Sequence, residues 1–394
     1  MDRYAVTGIG IVDTLGNDPQ QCWENYVNKD HFPIPVKESH PGVDGLKCFY
    51  ADWELDRPEG VRGPTYGSLE KNNLLALHAV NRAVKDAPET NNVGVVFTSL
   101  SAEEPTKMKF ASWLLGMGKR LRPKQQLQHL QSYTSSLISQ VWDFNGGSLT
   151  VGAACATTLY ALDLGMKMLD DDDLDYVVVG GAESSNHIWG LTYFNSLGAL
   201  GSHSAPFDKD RDGFIMGEGS GALVIEKEEV AVARGAKIYG YIHRVGKSND
   251  GARSNPTAPD PLGTGIKLSM MRATMKSTIG PDQIAFVNAH ATSTPAGDDC
   301  EYNAIQDLYP EVPVTSFKSK IGHSLGSSGI IETIYTLMAL QNSTVPPNHN
   351  IKNCIHKHVP TEAQPTNRNF ALKNGLAFGG KNATVLLEKG PDKL

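Results

Sequence analysis

Short apolar runs and longer helical stretches alternate along this 394-residue chain, and the alternation is run through twice. Nothing else limits the fold as much, because such a pattern buries its apolar faces only as an α/β structure. In the first half, strands are expected at 4–12 ("YAVTGIGIV"), 93–100, 148–154, 176–183 and 221–226, with helices at 72–87, 133–144 and 155–169. Within the last helix, Leu159, Leu162, Met166 and Leu169 recur at helical spacing and give one apolar face. A second series starts near residue 236 with the strand-like "KIYGYIHRV", the helix "GTGIKLSMMRATMKS", the strand "IAFVNAHA" and the helix "CEYNAIQDLY". It continues through "VPVTSFKS" and the helix "SSGIIETIYTLMALQ" to a closing strand near "ATVLLEK". The chain therefore reads as a pseudo-duplicated α/β protein with halves 1–230 and 231–394 and a boundary near 227–236. No Pro/Gly/Ser-rich tract separates the halves, so they are expected to pack as one unit.

A formal net charge of −7 gives no reason to expect nucleic-acid binding. The five cysteines, Cys22, Cys48, Cys155, Cys300 and Cys354, are odd in number and show no C-x-x-C spacing. Disulfides and structural zinc are therefore not expected, and a reducing compartment is. The stretch "MDRYAVTGIGIV" has no basic segment leading into an apolar run, and no window of 18 apolar residues occurs, so neither a signal peptide nor a membrane span is expected. The expected location is the cytoplasm.

Several motifs invite readings that their surroundings oppose. "GHSLG" (322–326) fits the G-x-S-x-G nucleophile elbow, which needs a buried apolar strand directly before it, whereas "SFKSKI" places Lys318 and Lys320 there. Its acid partner must also precede a histidine; the one later aspartate, Asp392, follows every histidine, and Glu332 with a later histidine leaves little room for the rest of such a fold. "CIHKH" (354–358) offers Cys354, His356 and His358 to a metal but nothing nearby completes four ligands. "GEGSG" (217–221) lacks the context of a dinucleotide site, and its glycines suit close backbone packing. "LDDDDLD" (169–175) reads as a solvated turn, because no phosphate-binding loop accompanies it to call for magnesium.

"GAACATTLYAL" (152–162) puts Cys155 where a strand gives way to a helix. A thiol there is either a small buried hydrophobe or a nucleophile. The free N–H groups and positive dipole end of a first helical turn favour a thiolate and can hold an oxyanion. Two later segments shift the balance toward chemistry. "FVNAHATSTPAGDDCE" (286–301) ends a strand at His290, with acidic positions at Asp298 and Glu301, and "SFKSKIGHSLGSSG" supplies His323 five residues after Lys318. Histidines at the carboxyl ends of strands occupy the usual place for chemistry in an α/β sheet.

With these stretches in view, the chain resembles the elongating β-ketoacyl-[acyl carrier protein] synthases of the thiolase-like superfamily. The resemblance rests on "GAACATTLYAL", "APFDKDRDGFIMGEGSGALVIE" (205–226), "NAHATSTPAGD" (288–298), "KSKIGHSLGSSGIIE" (318–332) and "FGGKNA" (378–383). It is good over about 145–389 and at the N-terminal strand, and poor through roughly 35–145. It implies a five-layer αβαβα architecture and a dimer, formed either with a second copy or with a related subunit. It implies Cys155 as the acylated nucleophile, His290 and His323 as the histidine pair that marks elongating members, Lys318 as the active-site lysine and Glu332 as its acidic partner. Phe378 falls on the gating phenylalanine whose N–H joins that of Cys155 in the oxyanion hole. Thr292 and Thr294 fall on pantetheine contacts, and Phe194 on the acyl pocket. The implied reaction needs no cofactor, the substrates riding on the phosphopantetheine of an acyl carrier protein.

The sequence departs from the family in places that bear on substrate. Ala291 replaces a usual glycine, Leu376 and Ala377 replace Phe-Gly, Lys381 replaces threonine, and "LSAEEPTK" (100–107) stands where a glycine-rich turn is usual. Gly198 occupies a position where bacterial fatty-acid synthases often carry a carrier-binding arginine. Polyketide or polyene assembly is then as credible as fatty-acid elongation. The basic stretch "GKRLRPK" (118–124), with Lys119, Arg120, Arg122 and Lys124, is either a carrier-docking patch or a solvated loop. Two rival readings stand beside the condensing enzyme. A chain-length-setting partner subunit usually lacks the cysteine kept here as Cys155, and a coenzyme A thiolase would need a second catalytic cysteine after Cys354.

Overall fold

The computed structural model describes residues 3–101, 104–253, 255, 257–275 and 277–391. Two residues of the "LSAEEPTK" stretch, Ala102 and Glu103, and the late Asp392 lie outside them. Among the described residues ten strands join in one sheet. Only these strands and the helices laid on them are numbered: β1 (Tyr4–Val12), β2 (Val93–Thr98), β3 (Ser148–Leu149), β4 (Tyr176–Glu183), β5 (Gly219–Lys227), β6 (Gly240–Asn249), β7 (Ile284–Asn288), β8 (Val314–Thr315), β9 (Phe370–Ala377) and β10 (Lys381–Lys389).

The spatial order, β8-β7-β9-β10-β6-β1-β5-β4-β2-β3, is one five-strand order used twice. Read outward from the middle, β1-β5-β4-β2-β3 and β6-β10-β9-β7-β8 follow the same path. In each, the first three strands pair antiparallel and the last three parallel. The two sets meet where Tyr4, Ala5 and Val6 pair with Ile242, Tyr241 and Gly240.

Six helices complete the layers: α1 (Lys71–Ala83), α2 (Tyr133–Trp142), α3 (Thr157–Asp171), α4 (Thr264–Thr274), α5 (Pro295–Leu308) and α6 (Ser328–Gln341). α1 and α2 cover the outer face of the first strand set, and α4, backed by α5, covers that of the second. α3 touches β2 and β4 of one set and β6 and β10 of the other, while α6 touches β5 on one side and β9 and β10 on the other. This pair is the middle layer of a thiolase-like αβαβα stack. The apolar stripe of α3 is spent there, with Leu159, Leu162, Met166 and Leu169 all buried against Val177, Val179, Ile330 and Ile334. Each such side chain stabilises the fold by about 1.5–3 kcal/mol relative to exposure.

The two middle helices are also stitched by polar contacts. Thr158 donates its hydroxyl to the Gly326 carbonyl at 3.0 Å and accepts the Ile330 N–H at 2.9 Å. Gly329 makes this crossing possible, because a Cβ there would lie 2.7 Å from Thr158 Oγ1 and 3.0 Å from Leu159 Cγ. Gly329→Leu is expected to destabilise the protein by about 1–3 kcal/mol, read as a lowered urea midpoint. An unchanged midpoint would mean that the crossing tolerates expansion.

Several boundaries differ from the sequence expectation. α1 stops at Ala83 and tightens into a 3-10 turn at Val84–Asp86, since Pro88 disfavours helix in the residue before it. The strand expected at 148–154 pairs only at Ser148–Leu149, after which small residues turn the chain away from the sheet. The strand Phe370–Ala377 was not expected, because Lys373, Asn374 and Gly375 interrupt its apolar run; all three are nevertheless buried. "GEGSG" joins a short strand, Met216–Gly217, to β5. A Cβ on Gly217 would come within 2.2 Å of the Ile321 carbonyl oxygen, so the glycine allows the close approach. Among the described residues no helix is long and apolar enough to cross a membrane.

Candidate active site

The duplicated topology brings two equivalent turns together. A 3-10 turn, Ala154–Ala156, leads into α3, and another, Leu325–Ser327, leads into α6. Each begins with a non-glycine residue in the left-handed region, Ala154 and Leu325 both at φ 46°. Such backbone costs on the order of 1–3 kcal/mol and persists where the surroundings over-determine it. The turns touch, and Cys155 occupies the first of them. Cys155 thus precedes its α-helix rather than opening it, a correction to the sequence reading.

His323 reaches this point from the other half. Its N–H donates to the Ile215 carbonyl at 2.8 Å, and its carbonyl accepts the Gly217 N–H at 3.0 Å, which pins the backbone. Its Nε2 then lies 3.2 Å from Cys155 Sγ. His290 stands two residues beyond β7, and its ring centroid is 5.2 Å from that of His323 with the planes near perpendicular. Glu301 on α5 fixes the His290 backbone, accepting the N–H groups of His290 and Ala291 at 2.8 Å each.

Cys155, His290 and His323 border one cavity of about 250 Å³, and Phe194, Thr292, Thr294 and Phe378 border it too. The Thr292 and Thr294 hydroxyls are 3.2 Å apart in the loop entering α5. Phe194, on the helix Ile188–Ser196, packs edge-on against Phe214, which in turn meets the His323 ring. Phe378 lies in the turn between β9 and β10.

Lys318 and Glu332 lie behind this wall. Lys318 opens the four-residue helix Lys318–Ile321, so the segment before "GHSLG" is helical, not the strand an esterase elbow requires. Its ammonium donates to the Glu332 carboxylate, with both groups buried. Lys320 points elsewhere and donates to the Tyr26 carbonyl at 2.6 Å. Lys119, Arg120, Arg122 and Lys124 are exposed and none borders the cavity. Cys354 donates to the His356 carbonyl, and His356 pairs with Asp299 at 2.8 Å.

Charge in this setting runs against the expectation of a resting thiolate. Burial pushes the Cys155 thiol up to about 12, with Lys318 pulling the other way. Burial likewise holds His290 and His323 well below the usual imidazole value, and Lys318 and Lys373 deepen the shift for both. Burial alone would raise Glu332, but Lys318 and Lys373 outweigh it and hold the carboxyl below the usual range. At neutral pH the resting pair is therefore thiol and neutral imidazole. Alkylation of Cys155 by iodoacetamide is expected to accelerate by about tenfold per pH unit beyond pH ~9 without a plateau; a plateau below pH 8 would show an activated thiolate instead.

The sequence reading missed Lys373 altogether, a buried ammonium 3.0 Å from Glu332 Oε2. It noted Glu301 without a role. The signal for Lys373 is a lone charge inside "FALKNGLA", which interrupts an apolar run.

A cysteine and two histidines at facing turns of a duplicated αβαβα fold define a thiol-dependent condensing-enzyme site, and the chain belongs to the β-ketoacyl synthase family. Residues 1–231 match the beta-ketoacyl synthase N-terminal domain and 239–352 the C-terminal domain. The 3-oxoacyl-[acyl-carrier-protein] synthase 2 of Staphylococcus aureus (strain COL) is 31% identical over 418 residues, covering 98% of both chains. That of Coxiella burnetii is 29% identical over 414 residues with the same coverage. Among solved structures, the ishigamide ketosynthase/chain length factor superposes with a TM-score of 0.87 at 26% identity, over 99% of this chain and 100% of that one.

Proposed function

We propose that the chain joins an acyl group held on Cys155 to the two-carbon unit of a malonyl-acyl carrier protein, giving a 3-oxoacyl carrier with loss of CO2. One observation carries this reading: Cys155 Sγ within 3.2 Å of His323 Nε2, with the His290 ring beside it, all on one cavity. In the first half-reaction the thiol passes its proton to His323 and attacks the acyl thioester, the C–S bond to the carrier breaks, and the departing carrier thiolate takes that proton back from His323, which returns to neutral imidazole. The N–H groups of Cys155 and Phe378 are assigned to the oxyanion. The second half-reaction breaks the malonyl C–C bond, and the N–H groups of His290 and His323 hold the enolate oxygen, contributing ~3 kcal/mol each. Enolate carbon then attacks the acyl-Cys155 carbonyl and thiolate leaves. Loss of CO2 drives the condensation, so it calls for no metal, nucleotide or redox cofactor. Lys318 and Glu332 hold the histidine wall, Thr292 and Thr294 are assigned to the pantetheine arm, and Phe194 to the acyl chain.

The carrier is the partner that the names of the bacterial relatives carry. Lys119, Arg120, Arg122 and Lys124 form its proposed docking patch. A dimer is proposed as well, because Leu114, Leu115 and Met117 are exposed, as is Leu149 on the edge strand β3. Heteromeric pairing is the second reading, favoured by the resemblance to a ketosynthase/chain length factor.

The test is intact-mass analysis after incubation with a panel of acyl-carrier thioesters, followed by malonyl-carrier. An acyl adduct discharged as a product two carbons longer is the expected result. No adduct from any thioester with the chain alone would overturn the solitary enzyme and leave the heteromeric reading.

A further inference from the structure

Lys373 is in the middle of β9, fully buried, and directly opposite Asn288 on β7, two residues before His290. Removing an ammonium from water costs several kcal/mol and is repaid only by close partners. Lys373 has two. Its Nζ is 3.0 Å from Glu332 Oε2, an ion pair rather than an aligned hydrogen bond. It also donates to the carbonyl of Asn374. The Asn374 amide donates to Glu301 Oε1 at 3.0 Å, and Glu301 holds the His290 and Ala291 N–H groups. Lys373 is thus tied to Lys318 through Glu332 and to His290 through Asn374 and Glu301. Lys318 alone would balance Glu332, so the second cation asks for a reason.

We infer that Lys373 is a second positioning cation of this site, whose charge behind the wall keeps His290 and His323 as neutral hydrogen-bond donors. The inference rests on the condensing reading above. It concerns what becomes of the enolate. When the malonyl C–C bond breaks, CO2 leaves and the electron pair stays on the enolate. In the coupled reaction that pair forms the new C–C bond and the electrons of the C–S bond return to Cys155. An imidazolium offers another course: its proton goes to the enolate carbon, leaving imidazole and an acetyl thioester, and the acyl group stays on Cys155. Neutral histidines stabilise the enolate oxygen without having that proton to give.

His290 lies beside His323, has Glu301 at its backbone and feels the charges of Lys318 and Lys373; His323 touches Cys155 and feels the same two charges. Lys373 pairs with Glu332 and feels the charges of Lys318 and Glu301, and Cys155 feels those of Lys318 and Glu183. Deleting the charge at 373 raises both imidazole values while the Lys318–Glu332 pair remains.

The experiment compares the wild type with Lys373→Met and Lys373→Gln, each first acylated on Cys155 and then given malonyl-carrier between about pH 4 and 8, a window that reaches below the ordinary histidine titration. Condensed product and acetyl-carrier are counted by mass. In the variants the acid limb of condensation is expected to move up by about one pH unit, and the acetyl-to-condensed ratio at the acid end to rise about tenfold. A merely structural role would lower the total rate and leave both the limb and the ratio in place. Folded variants with an unchanged limb and ratio overturn the inference. If neither variant folds, the histidine rings of the wild type are titrated by NMR, and a His290 or His323 value near the ordinary 6.5 overturns it. A wild type that neither loads Cys155 nor decarboxylates malonyl-carrier defeats the condensing reading instead, so the two failures are distinguishable.

Discussion

Cys155→Ala protein is expected to take up no acyl group from any acyl-carrier thioester, and its condensation rate to fall by roughly 10⁴-fold or more. The loss is this large because the covalent intermediate disappears, while the remaining site still presents two imidazoles to a malonyl thioester. The variant is therefore expected to retain decarboxylation of malonyl-carrier to acetyl-carrier, which separates the two half-reactions. Intact mass reads the first, and headspace CO2 together with product mass reads the second. An acyl adduct that persists in Cys155→Ala would place the nucleophile elsewhere. The thiol is small and sits in a turn already fixed by Ala153 N–H donating to Thr157 Oγ1 at 2.8 Å, so the substitution should leave the fold intact.

Glu332→Ala is expected to cost about 3–5 kcal/mol of stability, because it strips the carboxylate from two buried ammonium groups at once. Condensation should fall with it, since Lys318 and Lys373 lose the group that fixes both. Urea unfolding at neutral pH measures the first effect. The sign of the pH dependence follows from the carboxyl. Its folded value is depressed, so the stability it adds is present above the ordinary carboxylate range and is lost as pH falls through the folded value. Wild-type protein should show that acid limb and Glu332→Ala should lack it. A loss under 1 kcal/mol would mean that the lysines find other partners.

The residues proposed to do chemistry were legible because their neighbours are small. Cys155, His290 and His323 are each followed by alanine, serine or threonine in short turns between elements, and such turns are visible in a linear string. The repeated alternation likewise showed the duplicated α/β class. Lys373 was not legible. In one dimension a lysine inside "FALKNGLA" breaks a strand pattern, whereas in three dimensions β9 is covered on both faces and the ammonium meets Glu332, 41 positions earlier in the chain.

The acidity of Cys155 was misjudged for a related reason. A helix start predicts a lowered thiol value from the dipole, but the turn lies deep between two helical layers, and burial raises it to about 12. By itself the sequence determined the alternation of elements, the apolar face of α3 and the identity of the cysteine and the two histidines, all of which depend on periodicity or on local turn chemistry. Only the tertiary structure decided that the turns at 154–156 and 325–327 touch, that Glu332 is shared by two lysines, and that the thiol rests protonated. These depend on distances between segments far apart in the chain and on how much water is left around them, and neither quantity is written in local order.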